Sequence, residues 1–182
     1  MTLNLSLVCL ILAAAHALVA ALLLGRPGPT SATLRSLPRN VPIGVVLMLL
    51  GTAWFVWNLY SSDLTDFQEW RPIMYVGFTL LGVGCCFFVQ DYLFVRGAAV
   101  VALLMCDRIL DLQRWHLSPW KNVVPAWCYL VICVAVWVSM SPWRVRDFMD
   151  WLTADAGRMR QWGLGLGAFA AVLGGLGLTV LR

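Results

Sequence analysis

The chain has 182 residues, of which 61% are hydrophobic and 12% are charged, and its formal net charge is +4. A soluble domain of this length would carry about a quarter charged residues, so the composition excludes an ordinary soluble globular protein. No basic run is interleaved with aromatic residues, and nucleic-acid binding is therefore not expected. We expect an all-α integral membrane protein.

Six apolar runs follow one another along the chain. A helix of about 20 residues crosses the ~30 Å hydrocarbon core of a bilayer at 1.5 Å per residue. We therefore predict one transmembrane helical domain over residues 1–182. Its predicted spans are 3–24, 42–60, 72–89, 92–114, 123–140 and 162–181. Five spans are the alternative, because only Gln90 and Asp91 separate the third and fourth runs. That parse needs one helix of about 60 Å, roughly twice the hydrocarbon thickness, which favours six.

The first run and the distribution of arginine predict the topology. Residues 3–24 lack a positively charged start and exceed the length of a signal-peptide core, so we expect a retained span. With six spans, the 25–41 segment, Arg96 and the 141–161 segment lie on one side and contain most of the arginines. The positive-inside rule makes that side cytoplasmic and both termini extracytoplasmic. We expect a multi-pass protein of the cell membrane, most simply a bacterial inner membrane.

The 141–153 stretch has the pattern of a short amphipathic helix. Ser141 is a good N-cap, and Pro142 suits the first helical position. The apolar face consists of Val145, Phe148, Met149 and Leu152. Such a helix is expected to lie in the headgroup plane of the membrane.

The fourth run carries charged residues in its last third, namely Asp107, Arg108, Asp111 and Arg114. An ionisable residue at mid-membrane costs roughly 2.5–3.5 kcal/mol on insertion scales, and it is a functional-site hypothesis by default. Helical spacing puts Asp107, Asp111 and Arg114 on one face, which we expect to point into the bundle or toward a water-filled vestibule. The alternative is a partly solvated helix end in which Arg108 and Arg114 neutralise Asp111.

Small residues recur every four positions in the last and first runs. They are Gly163, Gly167, Ala171 and Gly175 in the last run, and Ala13, Ala17 and Ala21 in the first. Ridges of this kind let another helix backbone approach closely. The two ridges are expected to pack on each other or to face another protein, either a partner membrane subunit or a second copy.

Patterns for catalysis or cofactor binding are missing from the sequence. There is no HExxH motif, no phosphate-binding glycine loop and no usable Ser-His-Asp set. The six cysteines fall inside apolar runs without a CxxC, which is typical of packing residues. His16 lies at mid-membrane, but His116 falls in a loop, so we expect no bis-histidine haem and no other cofactor or metal. His16 is expected to be hydrogen-bonded inside the bundle.

The sequence therefore favours a non-enzymatic subunit or scaffold of a membrane complex, embedded in the lipid bilayer. The alternative is a small transporter or ligand-binding membrane protein. In that alternative, Asp107 and Asp111 form the polar site together with the neighbouring arginines.

Overall fold

The computed structural model describes residues 5–25, 27–62, 65–114 and 119–179, and every regular element in these ranges is helical. The eight α-helices in this part of the chain are α1 (Leu5–Gly25), α2 (Pro27–Ser36), α3 (Val41–Ser61), α4 (Arg71–Phe88), α5 (Leu93–Gln113), α6 (Val123–Met140), α7 (Trp143–Thr153) and α8 (Ala156–Thr179). The all-α prediction is confirmed. By length and composition, α1, α3, α4 with the turn that precedes it, α6 and α8 could each cross a membrane.

Helix α5 is as long as α1 and α3, but it is not among these five apolar helices. Four charged residues interrupt its apolar sequence: Arg96, Asp107, Arg108 and Asp111. It is nevertheless separate from α4, which ends at Phe88, and the backbone of Tyr92 takes a left-handed conformation (φ 55°) at the break. The single long helix of the five-span alternative is therefore not formed.

One predicted boundary and one missing element differ from the structure. The last helix begins at Ala156 and not at 162, because Asp155 Oδ1 accepts a hydrogen bond from the Gly157 amide at 2.9 Å and caps the helix start. Helix α2 is not among the predicted elements, because its sequence is too short and too polar for a span and holds few helix-favouring residues. It forms where its side chains meet α7.

The helices are arranged around two pairs. Helices α1 and α8 are antiparallel, with Gly163 beside Leu24 at one end and Gly177 beside Cys9 at the other. Helices α3 and α5 are parallel. Gly44, near the start of α3, lies against Leu93 at the start of α5, and Asn58, near the end of α3, contacts Arg108 near the end of α5. Helix α4 packs on α3, and α6 packs on α5.

The helices that carry the two small-residue ridges pack on each other, but only part of each ridge lies at the contact. Gly163 and Ala13 are buried at the α1–α8 contact, and Gly167 lies 3.7 Å from Ala20 Cβ. The remaining ridge residues, Ala171, Gly175, Ala17 and Ala21, are exposed. Four residues turn a helix by about 400°, which is about 40° more than a full turn. Residues in a strict four-residue repeat therefore rotate away from the partner helix, whereas residues at alternating steps of three and four stay on the contact face.

The arginine-rich segments meet at one end of the molecule. Arg35 of α2 donates from Nε to Thr153 Oγ1 at 2.7 Å and lies 3.7 Å from Asp150, both on α7. Arg146 of α7 donates to Tyr92 Oη at 3.3 Å in the α4–α5 turn. The predicted amphipathic helix is present as α7, but Ser141 does not cap it through its side chain, because Pro142 occupies the N-cap position.

Candidate functional site

The charged end of α5 lies at the surface of the protein and not inside the bundle. The side chains of Asp107, Arg108, Asp111 and Arg114 are all exposed. The expectation that this face points into the bundle is therefore wrong, and the water-filled vestibule stays a prediction. The reason is that the interior of this helix end is filled by the buried Cys106 and Ile109, which pack against α1 and α6.

The bonds within the cluster differ from the predicted salt-bridged helix end. Arg114 pairs with Asp111 at 3.7 Å, but their side chains are 68% and 56% exposed, so the pair contributes little. Arg108 does not pair with Asp111; its Nη2 donates to Asn58 Oδ1 of α3 at 3.0 Å. Asp107 forms no hydrogen bond or ion pair within the described ranges.

A cavity of about 530 Å³ lies between α1, α3 and α5 beside this cluster. Its lining is mostly apolar and consists of Val8, Ile11, Leu12, Trp54, Met105, Ile109 and Leu112, together with the charged Arg108 and Asp111. Asp107 is not part of the lining. The structure therefore brings Arg108 and Asp111 to one cavity and leaves Asp107 outside it.

Asp107 belongs to a different surface, the outer face of α5, which we define by Arg96, Leu103, Asp107 and Arg114. At 100° per residue these four residues lie within about 40° of one another, and Asp111, at the edge of the cavity lining, lies about 40° from Asp107. Leu103 is half-buried and Asp107 and Arg114 are exposed. The nearby helix α4 packs on α3 and does not cover this face.

His16 occupies a packing position, as the sequence predicts. It is half-buried between the rings of Trp127 and Phe169, with centroids 5.6 Å and 5.3 Å away. Its Nδ1 lies 2.7 Å from the Leu12 carbonyl oxygen and must donate, because a carbonyl oxygen can only accept. His116 lies outside the described residues.

The described cysteines are free, and three of them have no exposed surface: Cys9, Cys106 and Cys128. Cys9, Cys106 and Cys128 belong to the main buried cluster that joins α1, α5 and α6, with Leu173 of α8. Within the residues that the structure describes, no group of three or more His, Cys, Asp or Glu side chains could hold a metal ion.

Helix α7 contributes a second charged group at the other end of the molecule. Asp147 accepts from Arg146 Nη2 at 2.6 Å, and this hydrogen bond raises the pKa of the Arg146 guanidinium. Arg158 stacks over Trp151 at 5.0 Å from the ring centroid and donates to its carbonyl oxygen. The two contacts of Arg158 attach α7 to the start of α8.

Sequence reasoning missed one residue of α3 that completes the site beside α5, Asn58. Asn58 was detectable as the one amide side chain in the second apolar run. No protein-family model matches this chain, and no curated protein or solved structure is significantly similar to it.

Proposed function

We propose that the protein is a six-span membrane protein, with α5 as the span beside the five apolar helices, and that it serves as a non-enzymatic subunit of a membrane complex. In this proposal the arginine-rich end is cytoplasmic and both termini are extracytoplasmic. A partner subunit covers the outer face of α5.

The observation that carries the proposal is the exposed Asp107, which has no partner in the described part of the chain although it lies on a helix of membrane length. Asp107 lies about 9 Å before the end of α5, at 1.5 Å per residue, with the half-buried Leu103 one turn deeper on the same face. The acyl chains of lipid offer no partner for a carboxylate, whereas a neighbouring helix can supply one. Its position on the outside of the chain therefore supports contact with another protein.

The charge of this face also indicates the kind of partner. Two copies related by a twofold axis along the membrane normal, in contact through their outer faces, would place Asp107 opposite Asp107. Like charges at such a contact are unfavourable. The proposed partner is therefore a different membrane protein, with an arginine or lysine at the level of Asp107.

The transporter alternative requires Asp107 and Asp111 in one polar site. Only Asp111 lines the cavity, while Asp107, one turn earlier and about 40° around α5, lies outside the lining. This arrangement supports the subunit proposal over a shared two-carboxylate site.

Native mass spectrometry of the gently solubilised protein from its own host tests the proposal, with Asp107→Lys as the variant. We expect one partner of defined mass with the wild type and at least a ~10-fold loss of that complex in the variant, because an unpaired buried charge is strongly unfavourable. Replacing the partner's basic residue by Glu should restore the complex with Asp107→Lys.

The matched control is Asp91→Lys, at an exposed position in the α4–α5 turn and outside the outer face of α5. It should leave the complex intact. A wild-type protein that is always a lone monomer, or a complex that tolerates Asp107→Lys, would falsify the subunit proposal.

A further inference from the structure

The cavity between α1, α3 and α5 has the composition of a binding site for an amphiphile. Its volume of about 530 Å³ falls in the range of roughly 300–1,000 Å³ that is usual for small-molecule sites. Such sites are mostly apolar, with a few polar groups that orient the ligand. Here the polar groups are Arg108 and Asp111.

The two charged lining residues lie near the helix ends, beside the apolar Leu112, Ile109 and Val8, and the deeper lining is apolar only. At 1.5 Å per residue, Asp111 and Arg108 lie about 3 and 8 Å before the end of α5, and Met105 lies about 12 Å before it. Trp54 lies about 10 Å before the end of α3. A lipid that entered this cavity would place its headgroup at the charged end and an acyl chain along the deeper residues.

Arg108 has the features of a phosphate ligand. Asn58 accepts one hydrogen bond from Arg108 and so fixes the guanidinium, and no carboxylate pairs with Arg108 in the described part of the chain. A guanidinium has five N–H donors, so most of them stay available beside this single bond. Their planar arrangement matches two oxygens of one phosphate.

Asp111 adds a requirement for a positive group next to that phosphate. Asp111 and Arg108 are three residues apart and therefore neighbours on the helix, about 5–6 Å between Cβ atoms. The ion pair of Asp111 with Arg114 is long and exposed, which leaves the carboxylate available. An ethanolamine headgroup carries a phosphate and an ammonium joined by a short linker, and it satisfies both side chains at once.

We propose that this cavity binds phosphatidylethanolamine. The phosphate accepts hydrogen bonds from Arg108, the ammonium donates to Asp111, and one acyl chain lies along Trp54 and Met105. The site requires the membrane insertion proposed above, and it is independent of a partner on the outer face of α5.

The test is native mass spectrometry of the purified full chain after delipidation, with dioleoyl phosphatidylethanolamine added back. We expect one retained lipid per chain. Retention should be roughly tenfold weaker in Arg108→Gln, because this variant loses a charge-assisted contact with the phosphate. Asp111→Asn should abolish the preference for this lipid over dioleoyl phosphatidylglycerol. The controls are Arg160→Gln and Asp91→Asn, both exposed and outside the cavity lining, and both should retain the lipid as the wild type does.

Three outcomes of this titration overturn the proposal. They are equal retention of the two lipids by the wild type, unchanged retention in Arg108→Gln, and binding of free O-phosphoethanolamine as tight as that of the lipid. The last outcome would assign the site to a soluble phosphate compound.

A second measurement uses only the wild type, so it does not depend on the folding of a variant. Phosphatidylethanolamine with a diazirine in its acyl chain should label peptides that contain the half-buried Met105 of the cavity. Labelling confined to the exposed surface of α4 contradicts the proposal. If the chain resists alkaline extraction from membranes but fails these tests, the lipid site is wrong while membrane insertion stands.

Discussion

The two helix pairs of this protein reach close contact in different ways. In the antiparallel α1–α8 pair, the closest contact of a glycine is with a side chain: a Cβ added at Gly163 would meet the side chain of Leu24 at 2.9 Å, and backbone comes no nearer than the Ser6 carbonyl oxygen, 3.1 Å from a Cβ at Gly177. In the parallel α3–α5 pair, a Cβ added at Gly44 would meet the backbone nitrogen of Phe94 at 2.5 Å. A side chain can rotate away from an added methyl group, whereas a backbone cannot.

This difference shows that the number of small residues does not locate the closest helix contact. Helix α8 is rich in glycine, yet Gly165 and Gly175 have nothing within 4 Å of an added Cβ. Helix α3 makes its backbone contact with far fewer glycines. The closely packed helix is α5, the one whose charges make it least favourable as an isolated span.

The largest effect is expected for Gly44→Ala, because the new methyl group meets the backbone of Leu93 and Phe94. Overpacking of this kind costs up to about 3 kcal/mol, or roughly 6–12 °C in Tm. Thermal unfolding in detergent measures it. Gly77→Ala on α4 is the control, since nothing lies within 4 Å of its added Cβ, and its Tm should not fall. Equal Tm values for the two variants would show that the α3–α5 contact is looser than described.

A smaller effect is expected for Gly177→Ala in the α1–α8 pair. Its added Cβ lies 3.1 Å from Cys9 Cβ and 3.1 Å from the Ser6 carbonyl oxygen, so the neighbours must move slightly. We expect a loss of about 1 kcal/mol, at the low end of overpacking costs. Gly175→Ala, in the predicted ridge but away from α1, should be neutral or slightly stabilising. The comparison fails if Gly175→Ala is the more destabilising of the two in the same unfolding assay.

The sequence predicts the long helices well because span length and apolar runs are local properties. Packing partners are less predictable, since they depend on which faces meet. The four-residue repeat correctly indicates that α1 and α8 are closely packed, but it does not identify Gly177, which lies outside that repeat. Nothing local in the sequence distinguishes Gly44 from a glycine that faces lipid.

The sequence predicts which charged residues belong to the site, but it does not predict how they are arranged in space. Asp107, Arg108 and Asp111 are conspicuous in an apolar run, yet they divide between the cavity and the outer face of α5. Which residues line the cavity and which lie on the outer face depends on the positions of α1 and α3 around α5. Arg108 donates its hydrogen bond to Asn58 and not to Asp111 because the parallel alignment of α3 with α5 brings Asn58 beside Arg108.

The smallest effect is expected for Ser6→Ala, which removes the polar contact between α1 and α8. Ser6 Oγ donates to the Gly177 carbonyl oxygen at 2.7 Å, whereas Ser139 Oγ donates to Ala135 of its own helix at the same distance. Hydrogen bonds between membrane helices contribute about 0.6 kcal/mol on average, so Ser6→Ala should lower Tm by roughly 1–3 °C. Ser139→Ala should have no effect, because the Ala135 carbonyl keeps its helical hydrogen bond. A Tm loss as large as that of Gly44→Ala would mean that a polar contact, and not close packing, holds the α1–α8 pair together.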